Sequence, residues 1–394
     1  MLRHVTIIHP NMHRTIGGSE RLMADLAIGL SKRNVETHFV TGICHTIWLR
    51  ELSDANVTVR QLGSKALGSY RFWVFMKDFA RKLSLRVDPN TQVVLASGFP
   101  SPLAAQIFRK RHRGTIACHL HDAPAVLHDR NGIRVLPLHE RIFYDAFSRL
   151  HRNSDVEAVR SCDLVIANSK LTRRINSQVY GLEEDEIEVV YPGVLPNRLR
   201  HSTGGAHRVR DHIKEKSTVL FFPNGVQRWR SPNVALRALR EIADDCWLAI
   251  FTGGSSSEIT RFDRQMEKLN LHRIVWRIDD LSPSEVVAAY HSSTVVISTP
   301  MRDPFGLIPA EALGCGCPAI ASRTSGISEI LRAGEEIVCV QPGSLEQLLS
   351  AITKLIHDDR TRRRIAENGQ RKVLNYLTIN RFVDEIYAKL QNLA

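Results

Sequence analysis

Short runs of aliphatic and β-branched residues alternate along the chain with segments whose apolar residues recur every three or four positions. The first run, residues 5–8, is followed by a segment, 19–32, in which three leucines fall on one helical face. Alternation of this kind predicts parallel strands connected by helices that cover both faces of the sheet. The chain is therefore predicted to be an α/β protein with doubly wound sheets.

The alternation continues on both sides of one interruption. Further strands are predicted at 35–40, 57–59, 93–96, 115–119, 163–167, 187–191, 218–222, 247–252, 274–277, 295–298, 319–321 and 337–340. Further helices are predicted at 71–86, 102–111, 138–162, 170–179, 234–243, 258–269, 283–291, 308–314, 345–357, 360–374 and 379–390. The interruption, 192–216, is rich in proline, glycine and basic residues, which favours a linker between two domains.

Positive charge is concentrated in the first half of the chain. The 394 residues carry a net charge of +12, and residues 1–200 alone hold 28 basic and 19 acidic side chains. Such an excess favours an anionic partner, such as a phosphorylated ligand or an acidic membrane surface, or it serves solubility alone. Nucleic acid is not an expected partner, because no nucleic-acid motif accompanies the basic residues.

Two further patterns bear on location. The seven cysteines are scattered without a C-x-x-C pair, which favours reduced thiols. The apolar stretch near the N-terminus is too short for a signal peptide, and no stretch reaches the roughly 18 apolar residues of a membrane span. We expect a cytoplasmic protein whose contact with the inner membrane surface, if it has one, is peripheral.

One aromatic segment has two interpretations. The apolar stripe of the helix predicted at 71–86 consists of Phe72, Phe75, Met76, Phe79 and Leu83. Basic residues flank it, and a basic amphipathic helix can lie on an anionic membrane. The more common arrangement buries such a stripe in the core.

A glycine pair, Gly17 and Gly18, separates the first predicted strand from the first predicted helix. Glycine lets the backbone approach a ligand closely, and a helix start offers amides to an anion. The segment lacks the G-x-G-x-x-G pattern of dinucleotide sites, and the alternative interpretation is an ordinary loop turn.

The segment with the most chemistry follows the strand predicted at 295–298. A turn rich in proline and glycine contains Asp303 and leads into a short helix that carries Glu311. The helix start is expected to offer the amides of Phe305, Gly306 and Leu307. Carboxylates accept hydrogen bonds from sugar hydroxyls, and helix-start amides hold phosphate. The pattern fits a nucleotide sugar, which has hydroxyls at both ends and a diphosphate between them.

This segment resembles a motif of the retaining GT-B glycosyltransferases of family 4. Asp303 and Glu311 keep the E-x7-E spacing, and the following run reads EALGCGCPAIA. Further similarities are GGSER at 17–21, ANSK at 167–170 and VYPGV at 190–194, and the N-terminal ones are closest to mannosyltransferases of lipid-linked oligosaccharide and polysaccharide synthesis. The resemblance implies two Rossmann-like domains that face each other across a cleft. Residues 1–195 would bind the acceptor, 196–216 link the domains, 217–375 bind the donor, and 376–394 cross back to the first domain.

The resemblance also implies roles for the motif residues. Glu311 would bind the ribose, Asp303 the donor sugar, and the amides of 305–307 the sugar and diphosphate. Asp303 replaces the usual Glu and is shorter by one methylene, which puts the donor sugar or the closeness of the domains in question. Alternatively, Asp303 only forms the turn before Pro304.

Other positions are implied with departures from the family pattern. The Arg and Lys that clamp the donor diphosphate are displaced or substituted, so that Arg228 and Arg230 are the available cations, unless both are ordinary surface residues. A glycine turn, Gly253 and Gly254, would face the ligand, and the backbone of Ile278 would meet the nucleobase. A histidine near the donor sugar is matched by His119, with His121 as the near alternative.

The implied activity is transfer of a hexose with retained anomeric configuration. The donor would be GDP-mannose or a UDP-hexose, and the acceptor a glycan or a polyprenyl-linked glycan. No metal is expected, since cations and helix dipoles can stabilise the diphosphate and no DxD-type motif is evident. Two rival hypotheses are a sugar-nucleotide hydrolase or epimerase on the same fold, and a basic nonenzymatic binding protein.

Overall fold

The computed structural model describes residues 1–13, 18–63, 74–121, 138–200, 207–242, 244, 247–279 and 281–394, without the side chains of 139, 140, 144 and 207. These residues form two compact units. Unit 1 consists of Met1–Pro192 and Ile379–Ala394, and unit 2 of Gly193–Thr378.

Unit 1 is built on a parallel sheet of seven strands within the described ranges. The strands are β1 (His4–Ile8), β2 (Glu36–Thr41), β3 (Thr58–Gln61), β4 (Val93–Ser97), β5 (Thr115–Leu120), β6 (Leu164–Ala167) and β7 (Ile187–Val189). Their order is β3-β2-β1-β4-β5-β6-β7, so β1 pairs in parallel with β2 on one side and β4 on the other. Strands β2 and β3 therefore extend the sheet on one side of β1, and strands β4 to β7 extend it on the other, so that the strand order reverses between β1 and β4.

The helices of unit 1 come from both of its segments. They are α1 (Gly18–Ser31), α2 (Thr46–Asp54), α3 (Met76–Ser84), α4 (Ser101–Arg109), α5 (Leu138–Arg160), α6 (Lys170–Tyr180) and α14 (Ile379–Gln391). Helix α14 packs on α1, where a Cβ placed on Gly29 would lie 2.5 Å from Val383 Cγ2. Arg33 Nε donates to Asp384 Oδ1 at 2.8 Å beside this contact.

Unit 2 repeats the same topology with a parallel sheet of six described strands. The strands are β8 (Thr218–Phe222), β9 (Trp247–Phe251), β10 (Val275–Arg277), β11 (Val295–Ser298), β12 (Ala319–Ser322) and β13 (Val338–Val340), in the order β10-β9-β8-β11-β12-β13. The helices are α7 (His207–Ile213), α8 (Pro232–Ile242), α9 (Ser256–Lys268), α10 (Pro283–Ser292), α11 (Leu307–Gly314), α12 (Leu345–His357) and α13 (Asp359–Tyr376). The prediction of two Rossmann-like parallel-sheet domains is confirmed.

Several elements differ from the sequence prediction. Helices α2 and α7 were not predicted. Helix α7 lies in the predicted linker, together with a 3-10 turn at Pro196–Leu199. It packs on α10, where Arg208 pairs with Glu285 at 2.9 Å. The described units divide at Pro192 and at Thr378.

The aromatic stripe of the helix predicted at 71–86 is largely core. In α3, Met76, Phe79 and Leu83 are buried in the cluster of apolar side chains between α3, α4 and the sheet. Phe75 lies at the helix start and is exposed, and Phe72 lies outside the described residues. These three side chains therefore form part of the core and are not available to a membrane surface.

Two observations concern the cysteines and the membrane. The six cysteines in the described ranges are free thiols. None of the described helices combines the length with the apolar composition that a bilayer span requires.

Candidate functional site

In unit 2, the carboxyl ends of β8 and β11 meet at the point where the strand order reverses. Open parallel sheets bind ligands at such a point. A 3-10 turn, Arg228–Arg230, follows β8, and the loop that begins at 299 follows β11. The N–H of Met301 donates to the carbonyl of Trp229 at 2.9 Å, which joins the two loops. The structure thus brings the arginine turn to the loop of Asp303.

Arg230 is held firmly in this turn. Its Nη1 donates to Ser298 Oγ at 2.7 Å, and its Cζ lies 4.1 Å from the centre of the Trp229 ring. Burial lowers the pKa of the guanidinium, and the charge of Asp303 opposes that effect. Arginine remains charged under such conditions, and its buried Nε has no hydrogen-bond partner among the described residues. A buried cation with an unpartnered donor is suited to an anionic ligand.

Arg228 has a different environment from Arg230. Its side chain is exposed, while its backbone N–H donates to Glu258 Oε1 at 2.8 Å. Glu258 also caps the start of α9 through Ser255. Of the two arginines named by the sequence, Arg230 is therefore the one that the fold positions at the reversal point.

Asp303 connects three segments of unit 2. Its N–H donates to the carbonyl of Thr324 at 2.9 Å, and its carbonyl accepts the N–H of Gly326 at 3.1 Å. Burial raises the pKa of its carboxyl, and the Arg230 charge and hydrogen bonds from the N–H groups of Phe305 and Gly306 oppose this rise. The carboxylate therefore lies at the start of α11 and faces Arg230.

The carboxylate of Asp303 also bears on the amides predicted to bind a ligand. The N–H groups of Phe305 and Gly306 donate hydrogen bonds to this carboxylate, which opposes the rise of its pKa. The reason is that an aspartate side chain can accept hydrogen bonds from the backbone N–H groups two and three residues further along the chain. Leu307 is the first residue of α11, and the geometry of a helix leaves its N–H without an intrahelical partner. The binding of a ligand by the amides of Phe305, Gly306 and Leu307 stays a prediction.

Gly306 allows the tight approach of this loop to the turn after β12. Its φ is 103°, and a Cβ there would lie 2.6 Å from Ser325 Oγ. Ser325 Oγ donates to the carbonyl of Phe305 at 2.9 Å. A side chain at 306 would displace this hydroxyl, so the glycine sets the position of the start of α11.

The second carboxylate of the motif is buried. Glu311 lies on α11 with 6% exposure, and the Tyr290 hydroxyl of α10 donates to its Oε2 at 3.1 Å. Tyr290 also interacts electrostatically with Arg230. We call Arg230, Tyr290, Ser298, Asp303 and Glu311 the Arg230 cluster. It links the two acidic residues of the motif through one cation and one hydroxyl.

The predicted glycine turn follows β9 and packs on the loop after β8. Gly253 and Gly254 have φ of 77° and 108°. Cβ atoms there would lie 2.8 Å from Asn224 Oδ1 and 2.6 Å from Val226 Cγ1. The glycines therefore let two loops of the carboxyl edge pack together. Ile278 is buried, and its N–H donates to the carbonyl of Phe251.

Unit 1 contains a histidine cluster at the carboxyl edge of its own sheet. His119 is in β5, is fully buried, and has no hydrogen-bond partner for either ring nitrogen among the described residues. Its ring lies 4.7 Å from that of His121, and His121 Nε2 lies 2.9 Å from Ser97 Oγ. His9, directly after β1, lies 2.9 Å from the carbonyl of Asn11 through Nδ1.

Burial sets the protonation of these three histidines. It lowers the pKa of His119 to about 4, and it is also the main cause of the lowered pKa of His9 and His121. The three rings are therefore neutral at physiological pH and act as hydrogen-bonding groups rather than as cations. Gly18 begins α1, and Gly17 lies outside the described residues.

Two family models match consecutive parts of the chain. The model for Glycosyltransferase Family 4 matches residues 16–198, and the model for Glycosyl transferases group 1 matches residues 206–372. Together they span both units and the residues of the Arg230 cluster.

The chain belongs to glycosyltransferase family 4.

Curated relatives of this family 4 protein are D-inositol 3-phosphate glycosyltransferases. The protein of Corynebacterium jeikeium is 28% identical over 222 residues, which are 53% of this chain and 52% of the relative. The protein of Rhodococcus jostii is 28% identical over 228 residues, or 56% and 50% of the two chains. The chain thus spans about half the length of the curated relatives it matches.

Solved structures show that the fold of this family 4 protein is GT-B. Anabaena HepE in complex with UDP-glucose has a TM-score of 0.80 at 18% identity, with 99% of both chains covered. Sucrose-phosphate synthase of Thermosynechococcus elongatus has a TM-score of 0.78 at 14% identity, with 100% of both chains covered. The lipopolysaccharide glycosyltransferase WaaG has a TM-score of 0.69 at 14% identity, with 97% of this chain and 98% of that chain covered.

Three residues near the site of this family 4 protein were not predicted from the sequence. Ser298 ends β11 at the carboxyl edge, and a polar residue at the end of a buried strand is a signal that could have found it. The S-x-x-E pattern of 255–258 could have placed Glu258 at a helix start. Tyr290 carries no sequence signal, because only the fold brings α10 to α11.

Proposed function

We propose that the chain transfers a hexosyl group from a nucleoside diphosphate sugar to an acceptor hydroxyl, with retention of the anomeric configuration. The observation that carries the proposal is the Arg230 cluster at the strand reversal point of unit 2, where a cation faces Asp303 and also interacts with Tyr290, whose hydroxyl donates to Glu311. A nucleoside diphosphate sugar has a diphosphate for the cation and hydroxyls for the carboxylates.

Each group of the cluster has a chemical role in this proposal. The bond from the anomeric carbon to the β-phosphate oxygen breaks, and negative charge develops on the diphosphate. Arg230 and the helix start at Leu307 stabilise that charge, because both are fixed before the reaction begins. A new bond forms from the anomeric carbon to the acceptor oxygen, and the acceptor proton passes to the departing phosphate. Asp303 and Glu311 orient the hydroxyls of the sugar and the ribose.

The histidine cluster of unit 1 fits a role in sugar binding. His119 is neutral, since burial lowers its pKa to about 4, and both ring nitrogens lack a partner among the described residues. A neutral imidazole has one N–H donor and one acceptor nitrogen, which matches a hydroxyl that both donates and accepts, whereas a phosphate oxygen would engage the N–H alone. We therefore assign His119 to a sugar hydroxyl, with His121 as its neighbour.

For the donor sugar we propose mannose first, carried on GDP, and a UDP-hexose second. The mannose choice rests on the N-terminal sequence similarity, and the UDP-hexose choice on HepE, whose structure contains UDP-glucose. For the acceptor we propose a glycan or a polyprenyl-linked glycan. The positive charge of residues 1–200 supports an anionic acceptor, which the names of the relatives also support.

The test is a donor and acceptor matrix with the full chain. GDP-mannose and UDP-glucose are each incubated with a polyprenyl diphosphate-linked sugar, with D-inositol 3-phosphate, or with no acceptor, and products are identified by mass spectrometry. We expect one donor to give a glycosylated acceptor and little sugar release without acceptor. Equal sugar release with and without acceptors would instead indicate a hydrolase. The anomeric configuration of the product is read by proton NMR.

A pair of arginine variants tests the site itself. Arg230→Met removes the buried cation, and we expect kcat to fall by a factor of about 100 or more, as when a preorganised charge-stabilising group is lost. Arg228→Met changes a neighbouring exposed arginine and serves as the matched comparison. A larger loss for Arg228→Met than for Arg230→Met would contradict the assignment.

A further inference from the structure

A second cluster of ligand-type side chains lies at the opposite edge of the sheet of unit 1. His4 begins β1, His38 is in β2, and Asp88 precedes β4. The strand length separates His4 from His9 by ~16 Å, at about 3.3 Å per residue. The cluster is therefore distinct from the three histidines at the carboxyl edge.

The geometry of this cluster matches that of a metal site. His4 Nε2 lies 3.3 Å from His38 Nδ1, and His38 Nδ1 lies 3.7 Å from Asp88 Oδ2. One ligand atom from each residue lies within 4.8 Å of the other two. Two ligands bound at about 2 Å to a tetrahedral Zn²⁺ are separated by about 3.4 Å. The two separations that involve His38, 3.3 Å and 3.7 Å, are thus close to the edge length of such a tetrahedron.

The outer contacts orient the ligand atoms inward. Glu36 Oε1 lies 3.2 Å from His38 Nε2, so this nitrogen donates to the carboxylate and Nδ1 keeps its lone pair, which faces His4 Nε2 at 3.3 Å and Asp88 Oδ2 at 3.7 Å. A carboxylate behind the outer nitrogen is the usual partner of a metal-binding histidine. Asp88 Oδ1 accepts the N–H of Asn90 at 2.9 Å, which fixes the carboxylate.

The charges around the cluster leave room for a cation. Arg60 Nη2 donates to Asp88 Oδ2 at 2.8 Å, but a carboxylate oxygen has a second lone pair. Glu36 adds a second negative charge, and it is mostly exposed. His4 and His38 are buried, whereas the Asp88 side chain is 17% exposed, so an ion can enter from the side of Asp88.

We propose that His4, His38 and Asp88 bind one divalent transition-metal ion of the zinc type, with water as the fourth ligand. The ion ties β1 and β2 to the segment that precedes β4 and has a structural role. Two imidazoles and one carboxylate suit Zn²⁺ or Co²⁺ better than Mg²⁺ or Ca²⁺, which prefer oxygen ligands. The proposal is independent of the transferase activity.

The test uses Co²⁺ as a spectroscopic probe with the full chain after dialysis against a chelator. We expect one Co²⁺ per chain, with the visible absorption of a tetrahedral ion, and its displacement by Zn²⁺. His38→Gln and Asp88→Asn each remove one ligand and are expected to weaken binding at least tenfold. The comparison variant is His121→Gln, which changes the other histidine cluster of unit 1 and is expected to leave Co²⁺ binding unchanged.

A variant at an exposed position tests the proposal even if the substitutions of buried residues prevent folding. Glu36→Gln changes an exposed side chain that contacts only the outer nitrogen of His38, and we expect about tenfold weaker Co²⁺ binding. Circular dichroism establishes that each variant is folded. No bound Co²⁺ in the folded chain, or binding that Glu36→Gln and His38→Gln leave intact, would overturn the proposal.

Discussion

Acidification should destabilise unit 1 through His119. The unfolded imidazole has a pKa of 6.5, and burial lowers the folded value to about 4. As the pH falls below 6.5 the unfolded chain binds the proton first, so the stabilisation present above pH 6.5 is lost between pH 6.5 and about 4. A shift of this size corresponds to about 3 kcal/mol of unfolding free energy, at roughly 1.4 kcal/mol per unit.

The measurement is hydrogen exchange at the amides of β5, followed by mass spectrometry in urea at pH 7 and pH 4. His119→Gln removes the titrating group. We expect the opening free energy of β5 to fall by about 3 kcal/mol more in the unchanged protein than in this variant. His9 and His121 act in the same direction in both proteins, and the difference reports His119 together with its electrostatic effect on His121. Equal losses in the two proteins would refute the reasoning.

Three further predictions concern packing. Gly306→Ala should destabilise unit 2 by about 2–4 kcal/mol, because residue 306 has a positive φ and its Cβ would clash with Ser325. Gly334→Ala is the control: its φ is 81° but the space around it is open, so it should lower the unfolding free energy by about 1 kcal/mol in the same urea titration. Tyr290→Phe removes the hydroxyl that donates to the Glu311 carboxylate and should lower the unfolding free energy by about 1–2 kcal/mol in the same assay. Added nucleotide should also raise the melting temperature of this variant by less than that of the unchanged protein. An equal rise in both proteins would argue against the Arg230 cluster as the binding site. Gly29→Ala should increase amide hydrogen exchange in α14, because the new Cβ would lie 2.5 Å from Val383 Cγ2. Adding Val383→Ala to the same chain should reverse that increase, and exchange that stays high in the double variant would contradict the packing argument.

The doubly wound parallel sheets of both units could be predicted from the sequence because strands such as β1, β8 and β9 are short, mostly apolar runs that are buried along their whole length. Helices α2 and α7 could not. Helix α2 buries only Trp48 and Leu52, which is too few apolar positions for a periodic signal. Helix α7 is polar, and a partner about seventy residues further along the chain helps to hold it.

The candidate site also has features that the sequence predicts and features that only the fold determines. The spacing of Asp303 and Glu311 and the strand end before them were visible in the sequence, because both are local features. The direction of the Asp303 carboxylate toward the amides of Phe305 and Gly306 was not, since it depends on one side-chain rotamer. The contact of Arg230 with Ser298 requires two strands that are distant in the chain to lie side by side.

Unit 1 is assembled from two segments of chain, and this has a consequence during synthesis. A ribosome completes all seven strands of unit 1 and then makes the 186 residues from Gly193 to Thr378 before α14 emerges. At about 5–20 residues per second, this interval lasts roughly 10–40 s. Throughout it the surface of α1 around Gly29 is uncovered, and Phe382, Val383 and Ile386 do not yet exist to cover it. A premature stop codon anywhere in unit 2 therefore leaves unit 1 without the helix that covers α1, even though every strand of its sheet has been made.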